Sequence, residues 1–508
     1  AGGGTWTDAA SNQNIGIGTN VMNSALAGAL NNTAVGHSSL NALTSGDSNV
    51  AMGYLAGNDL TTGHSNVLLG SSAGKLSQTG LYNIAIGTDA FDAEDGNASY
   101  AIAIGLNALG GLNHDDADYN IAIGHNAVAS ANTSGMSGIV IIGQTAGFAM
   151  NNAGANYTTG IGFEVFRNLT SGQGNTAIGK HALYAEDDGD FNTAVGFEAL
   201  KAQTGTSGTV ANTAVGHHAL TRLTTGTMNT AVGQASQDYN RTGVNNTSVG
   251  KESLSQLGHD DSDNNTAVGF QAMRSAGTPN NNDAAQNVAV GSKALTAILD
   301  GDSNVAVGYQ SGLALTTGHS NVIIGENAGS TATTEITNTV MVGNDAGQAA
   351  VSANHVFIGD HAGAAAVANH GQVFIGYYAG AVITSGERNT AIGYQALDSA
   401  DDCDDSIAIG YQALAGTDAG TNNKNIAIGN YALDANMTHN TNNTAIGHNA
   451  LTNLAGSGAI YNTFIGSDAG LSVTNADYNT GVGVGVMGEA SGNAITGLYN
   501  SGFGALAL

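Results

Sequence analysis

Clusters of aspartate recur in polar stretches of the sequence and could bind a hard cation. The run 114–118 is His-Asp-Asp-Ala-Asp, the run 259–263 is His-Asp-Asp-Ser-Asp, and further acidic runs lie at 187–190 and 401–405. Ca²⁺ takes about six to eight oxygen ligands, which carboxylates can supply. None of these runs has the spacing of an EF-hand loop or of a Ca²⁺-binding β-roll, so a solvated acidic rim is the competing interpretation. The candidate ligands are Asp115, Asp116, Asp118, Asp260, Asp261 and Asp263.

Paired carboxylates could also hydrolyse glycans. That chemistry needs two carboxylates in a cleft, one of them with a pKa raised by burial. The acids here lie beside other acids in polar, glycine-rich stretches, and no Ser/His/Asp grouping, zinc motif or phosphate loop is present. Gly-x-Gly triplets such as 16–18 and 160–162 belong to a repeat and carry no nucleotide signal. We therefore predict no enzymatic activity, no catalytic residues and no cofactor other than Ca²⁺.

Aromatic residues follow one another at a constant step. Tyr377, Tyr394 and Tyr411 are 17 residues apart and would form a column of three rings. Such a column could stack on the sugars of a surface glycan. The alternative is a ladder that only stabilises neighbouring turns of the chain.

Threonines share a second column, which includes Thr176, Thr193, Thr213, Thr230 and Thr247. A flat threonine array could order water, as an ice-binding surface does. Val50, Val67 and Ile84 interrupt the column elsewhere, which disfavours this interpretation.

These side chains are positioned by a repeat that runs almost from end to end. The unit Asn-Thr-Ala-Val-Gly at 32–36 recurs in 28 copies, with closing glycines from Gly18 to Gly504 and a commonest spacing of 17 residues. Thr33 and Val35 should point to one side of a short strand and Ala34 to the other, since side chains alternate. Asn and Gly mark the corners, where stacked Asn side chains can form a ladder and Gly permits a positive φ or a close neighbour. The first ladder residues are Asn32, Gly36, Asn49, Gly53, Asn66, Gly70, Asn83 and Gly87.

A period of this kind predicts an all-β, parallel β-solenoid, either a β-roll or a β-helix, of about 28 short rungs of mostly 17–22 residues each. We expect residues 1–13 to form an N-terminal cap or joint, and residues 14–508 to form one continuous array. Each rung should contain the strand and a second short buried strand such as 37–40, although single helical turns are an alternative for that stretch.

Composition excludes several partners. Lys and Arg number 11 against 39 Asp and Glu, for a net charge of −28, which repels phosphate backbones and anionic membranes. No apolar run approaches the roughly 20 residues that span a bilayer. We predict neither nucleic-acid binding nor membrane insertion. Cys403 is the single cysteine, so no intrachain disulfide forms.

The strand predicts an oligomer because both of its faces are apolar. A rung of about 18 residues encloses only a thin interior, so one apolar face lies inside and the other must face a partner chain. A homotrimer is the simplest closed arrangement for a fibre.

The unit Asn-Thr-Ala-Val-Gly-x-x-Ala-Leu stands at 192–200 and 212–220, and with Ile for Val at 389–397. It resembles the head repeat of YadA-like trimeric autotransporter adhesins and the repeat of phage tail fibre shafts. Both resemblances imply a parallel homotrimeric fibre that contacts a surface. The units here are longer than adhesin-head units, which favours the tail fibre family.

The predicted function is therefore a structural or adhesive fibre. It would be the shaft or receptor-binding part of an extracellular or virion fibre, on a virion or a cell-surface appendage. A bacterial cell-surface trimeric adhesin and, less favoured, a glycan-degrading tailspike are the alternatives. The expected partners are two further copies of the chain and a glycan or protein on a host or neighbouring cell.

Overall fold

The chain is a parallel β-solenoid in the computed structural model, which confirms the predicted fold class. It divides into two compact units, residues 1–251 and 252–508. Residues 1–12 of the predicted cap lie outside the described part of the chain. The structure describes residues 13–92, 98–112, 117–130, 135–151, 153–204, 207–256, 262–275, 283–332, 335–365, 370–398, 402–416, 422–435, 437–488 and 494–507.

The first unit contains β1 (Ile15–Ile17), β2 (Thr33–Val35), β3 (Val50–Met52), β4 (Val67–Leu69), β5 (Ile84–Ile86), β6 (Ile102–Ile104), β7 (Ile121–Ile123), β8 (Val140–Ile142), a 3-10 turn (Ala153–Ala155), β9 (Thr159–Ile161), β10 (Thr176–Ile178), β11 (Gly189–Asp190), β12 (Thr193–Val195), β13 (Gly208–Thr209), β14 (Thr213–Val215), β15 (Thr230–Val232) and β16 (Thr247–Val249). Strands β11 and β13 pair with each other. The other fourteen strands form a parallel stack in which each strand pairs with the next three-residue strand along the chain.

The second unit contains β17 (Thr266–Val268), β18 (Val288–Val290), β19 (Val305–Val307), β20 (Val322–Ile324), β21 (Val340–Val342), β22 (Val356–Ile358), β23 (Val373–Ile375), β24 (Thr390–Ile392), β25 (Ile407–Ile409), β26 (Ile426–Ile428), β27 (Thr444–Ile446), β28 (Thr463–Ile465), β29 (Thr480–Val482) and β30 (Ser501–Phe503). These strands also stack in parallel and in chain order.

The register keeps equivalent residues in straight columns. Thr33 lies opposite Val50 and Ala34 opposite Ala51 on the neighbouring rung. From β2 onward the middle residue of each stacked strand points inward and is buried, whereas the first and third residues point outward and are mostly half-exposed. We call the first and third residues of the stacked strands the outer face. Alternation of side chains along a strand accounts for both sets of columns.

The second strand predicted for stretches such as 37–40 is wrong, although β11 and β13 add a short strand to two rungs. Ser38, Ser39 and Leu40 are buried, as expected, but they lie in turns. Ser38 and Leu40 have φ values of 54° and 46°, in the left-handed region. The N–H of Ser38 donates to Thr19 of the preceding rung and that of Leu40 to Ala56 of the following rung. The backbone N–H groups of these turns therefore hydrogen-bond to carbonyl groups of neighbouring rungs, although the turns form no strand.

Candidate functional site

The outer face is a regular surface in each unit, because equivalent residues of successive strands lie side by side. In the first unit six successive rungs of the main stack, from β9 to β16, begin with threonine and end with isoleucine or valine. Ile178, at the third position of β10, is 39% exposed, and Val232, at the third position of β15, is half-buried. The arrangement leaves parallel columns of methyl groups on the outside of the stack.

Stacked tyrosines lie two residues beyond the C-terminal ends of three strands in the second unit. The ring centroids of Tyr377 and Tyr394 are 5.0 Å apart and those of Tyr394 and Tyr411 are 5.1 Å apart. The interplanar angles are 15° and 7°. All three side chains are exposed, at 44%, 42% and 39%. The structure thus brings the three predicted contact residues together as one row of rings.

A second set of tyrosine rows lies at the N-terminal ends of strands, and sequence reasoning missed it. Tyr82, Tyr100 and Tyr119 stack in the first unit, with centroids 5.2 and 5.0 Å apart. An equivalent row in the second unit consists of Tyr461, Tyr478 and Tyr499. The available signal was the Tyr-Asn pair at several repeat boundaries, such as 82–83 and 119–120.

The repeated asparagines form a hydrogen-bonded ladder over many successive rungs. Asn32 Oδ1 accepts the backbone N–H of Asn49 at 2.9 Å and its side-chain amide at 3.1 Å. Asn49 Nδ2 also donates to the carbonyl of Gly63, fourteen residues further along. Each such asparagine therefore closes its own turn and bonds to the next rung. The same pattern links Asn49 to Asn66, and Asn66 Oδ1 accepts the backbone N–H of Asn83.

The closing glycines are required for two reasons. Gly36 has a φ of 135°, which side chains rarely adopt. A Cβ atom there would also lie 2.3 Å from the carbonyl oxygen of Gly53 on the next rung. Gly53 and Gly70 show the same approach to the rungs that follow them.

The predicted Ca²⁺ ligands fall partly outside the described residues, namely Asp115, Asp116, Asp260 and Asp261. Asp118 is half-buried, and its Oδ1 accepts the backbone N–H of Ser99 at 2.7 Å. Equivalent aspartates two residues before the ladder position accept an N–H from the preceding rung in the same way: Asp47, Asp190, Asp302, Asp404 and Asp477. Asp263 is half-buried, and its carbonyl accepts the N–H of Gln286. The described aspartates of these two runs thus hydrogen-bond within the fold.

Three titratable groups have environments that change their chemistry. Burial, together with the charge of Asp89, raises the pKa of Asp92 to about 6. Burial, with Asp402 and Asp404 nearby, raises the pKa of the Cys403 thiol to about 12, so this thiol stays protonated and unreactive at neutral pH. Burial and the nearby His370 lower the pKa of His355 to about 4.

Comparison of the chain with protein-family models, with characterised proteins and with solved structures gave no match. Among the described residues, no helix has the length and apolar character needed to cross a bilayer.

Proposed function

We propose that the chain is a structural and adhesive fibre component that assembles as a parallel homotrimer through its outer face. It would serve as the shaft or receptor-binding part of a fibre on a virion or a cell-surface appendage. The observation that carries the proposal is the outer face itself, where most stacked rungs of each unit present half-exposed aliphatic side chains.

The outer face supports self-association because its columns repeat at one constant spacing. Parallel strands stack about 4.7–4.9 Å apart, and identical chains placed in register would match rung for rung. Contiguous apolar patches on soluble monomers rarely exceed a few hundred Å². Ile161, Ile178 and Val249 occupy third positions of stacked strands in the first unit, and each is 39% exposed. Two identical partners would bury these columns along the stack.

The tyrosine rows support an adhesive role. Because the stacked rings cover one another's faces, the row presents ring edges and phenolic hydroxyl groups at a spacing near 5 Å. Ring edges can pack against sugars, and the hydroxyl groups can hydrogen-bond to sugar hydroxyls. The negative charge of the chain disfavours anionic partners, so the proposed receptor is a neutral glycan or a protein on a host or neighbouring cell.

Polysaccharide binding and degradation distinguish an adhesin from a glycan-degrading spike. Purified protein is incubated with host-cell polysaccharide, and both retention and polymer length are measured. Binding without shortening is expected, whereas shortening would support the spike, with Asp92 and Asp89 as the first carboxylates to replace because the pKa of Asp92 is raised to about 6.

A matched pair of variants tests the tyrosine row. Tyr394→Ala removes the central ring of the row and should weaken polysaccharide binding. Tyr309→Ala is the control, because Tyr309 occupies the same repeat position at 48% exposure but stacks on no described ring. Equal losses in both variants, or no loss in either, would contradict a role for the row.

The threonine column favours ice binding as a second candidate function. Thr159, Thr176, Thr193, Thr213, Thr230 and Thr247 stand on consecutive rungs of the first unit's main stack and are half-exposed. A homotrimer would cover this column, so the two functions are mutually exclusive on one face. Inhibition of ice recrystallisation by a monomeric protein would favour the second candidate.

A further inference from the structure

One interior column of the first unit contains an acid where other rungs have leucine. The position eleven residues after the ladder asparagine is Leu43, Leu60 and Leu223 on other rungs, all buried. At the rung that starts with Asn175 this position is Glu186, which is also fully buried at 0% exposure. A carboxylate at an interior leucine position costs free energy unless its oxygens are bonded.

Only one of the two carboxylate oxygens of Glu186 is bonded. Oε1 accepts the backbone N–H groups of Asp187, Asp188 and Gly189 at 3.1, 3.2 and 2.7 Å. Oε2 is buried and has no hydrogen-bond partner among the described residues, and the same holds for Oδ1 of Asp188. Three N–H donors on Oε1 favour the ionised form of the carboxyl group.

The second observation is that three carboxylates meet here. One oxygen from each of Glu186, Asp187 and Asp188 lies within 4.8 Å of the other two. Burial raises the pKa of Glu186 and that of Asp188, and the charge of Asp187 raises both further. Neither Glu186 nor Asp188 forms an ion pair with a described residue. No cationic side chain among the described residues therefore pairs with these two carboxylates.

We propose that Glu186, Asp187 and Asp188 bind one Ca²⁺ ion. The ligands are Glu186 Oε2 and the carboxylates of the two aspartates, and water completes the oxygen shell at the exposed side of Asp187. Ca²⁺ accepts about six to eight oxygens in flexible geometry, whereas Mg²⁺ needs a near-ideal octahedron, so three successive carboxylates on one turn suit Ca²⁺ better. The ion would neutralise the repulsion and bond to both buried oxygens.

The competing explanation is an amide on the next rung. Gln203 occupies the same interior position one rung later, is fully buried, and its Nε2 has no hydrogen-bond partner among the described residues. Its Oε1 accepts the side-chain amide of Asn212. If Gln203 Nε2 donated to Glu186 Oε2 in solution, that oxygen would be satisfied without a cation.

Calorimetric titration of the metal-stripped full chain with CaCl₂ separates the two explanations. Glu186→Leu introduces the residue type of the preceding rung, where the position is Leu169, and should remove one saturable Ca²⁺ site. Other acidic sites on the chain should remain. Gln203→Leu should keep that site. Asp188→Asn changes a half-buried residue and should also remove the Ca²⁺ site. This second variant keeps the test valid if Glu186→Leu misfolds, and circular dichroism shows whether each variant is folded. Unchanged titrations in Glu186→Leu and Asp188→Asn, or loss of the site in Gln203→Leu, would overturn the proposal.

Discussion

The ring of Phe374 occupies the space that a side chain at Gly380 would need. A Cβ atom at Gly380 would lie 2.6 Å from Phe374 Cδ2. Gly363 faces Phe357 in the same way. One rung later the sizes are reversed, because the inward strand residue is Ala391 and the buried turn residue is Leu397. A large inward residue on the strand is therefore paired with a small residue on the facing turn, and a small strand residue with a large turn residue.

This compensation predicts a rescue by a second substitution. Phe374→Ala alone should destabilise the second unit by about 3–5 kcal/mol, because it leaves a cavity. Gly380→Leu alone should also destabilise it, because the new side chain would collide with Phe374. The double variant should recover most of the loss, since Gly380 and Leu397 share nearly the same φ, 57° and 56°. Thermal unfolding of the four proteins measures the coupling, and strictly additive losses would contradict the compensation.

The asparagine ladder should be sensitive to a single truncation. Asn229 bonds to Asn212 and to the carbonyl of Gly243, and its Oδ1 accepts the N–H of Asn246. Asn229→Ala would leave a buried carbonyl and a buried N–H without partners, at a cost of about 2–4 kcal/mol. Hydrogen exchange of the amides around β15 and β16 reports this local loss. Thr225→Ala, at an exposed position, is the control and should change nothing measurable.

Acid should destabilise the second unit through His355, which replaces asparagine in the ladder. The buried ring accepts the N–H of Gln372 at Nδ1 and lies 2.8 Å from Ser352 Oγ at Nε2, which fits the neutral form. Its folded pKa is about 4 and its ordinary pKa is 6.5. The unfolded chain therefore binds the proton more tightly between these values. The stability that His355 contributes is complete above pH 6.5 and falls by roughly 3 kcal/mol on acidification to pH 4.

His355→Asn is the matched variant for this pH dependence, because asparagine occupies the equivalent position on most rungs. Its unfolding midpoint should fall less between pH 7 and pH 4 than that of the unmodified protein. Acidic groups with raised pKa values, such as Asp398, are common to both proteins and cancel in the comparison. Parallel pH profiles for the two proteins would contradict the role of His355.

The proposed trimer predicts a difference between two sets of charged substitutions. Ile178→Asp or Val232→Asp places a charge on the outer face and should split the assembly or misfold it locally. Thr225→Asp places the same charge on an exposed turn and should leave assembly unchanged. Size-exclusion chromatography with light scattering gives the mass of each variant. Equal masses for all three variants would argue against burial of the outer face.

The strand and its orientation could be predicted from the sequence because they depend on local, repeated signals. The alternation of Thr33, Ala34 and Val35 indicates which side chain is buried, and the fixed period indicates parallel stacking. The turn at 37–40 could not be predicted in the same way, because left-handed leucine is rare and burial alone suggests a strand.

The candidate site was less accessible to sequence reasoning. The Tyr377 column follows from its constant step, whereas the equivalent row that contains Tyr82 is set by positions just before the ladder asparagine. Glu186 looks like one more acid in an acidic run, and only the three-dimensional packing shows that it is the interior residue of its rung. Alignment of the repeats against one another would have shown that Glu186 occupies a position that is leucine in several other repeats.

Sedimentation equilibrium of the unmodified full chain tests the central claim most directly. The proposed fibre predicts a species of three times the 50.4 kDa chain mass, which persists on dilution to low concentration. A stable, soluble species of 50.4 kDa would contradict the trimer and the assignment of the outer face as its interface.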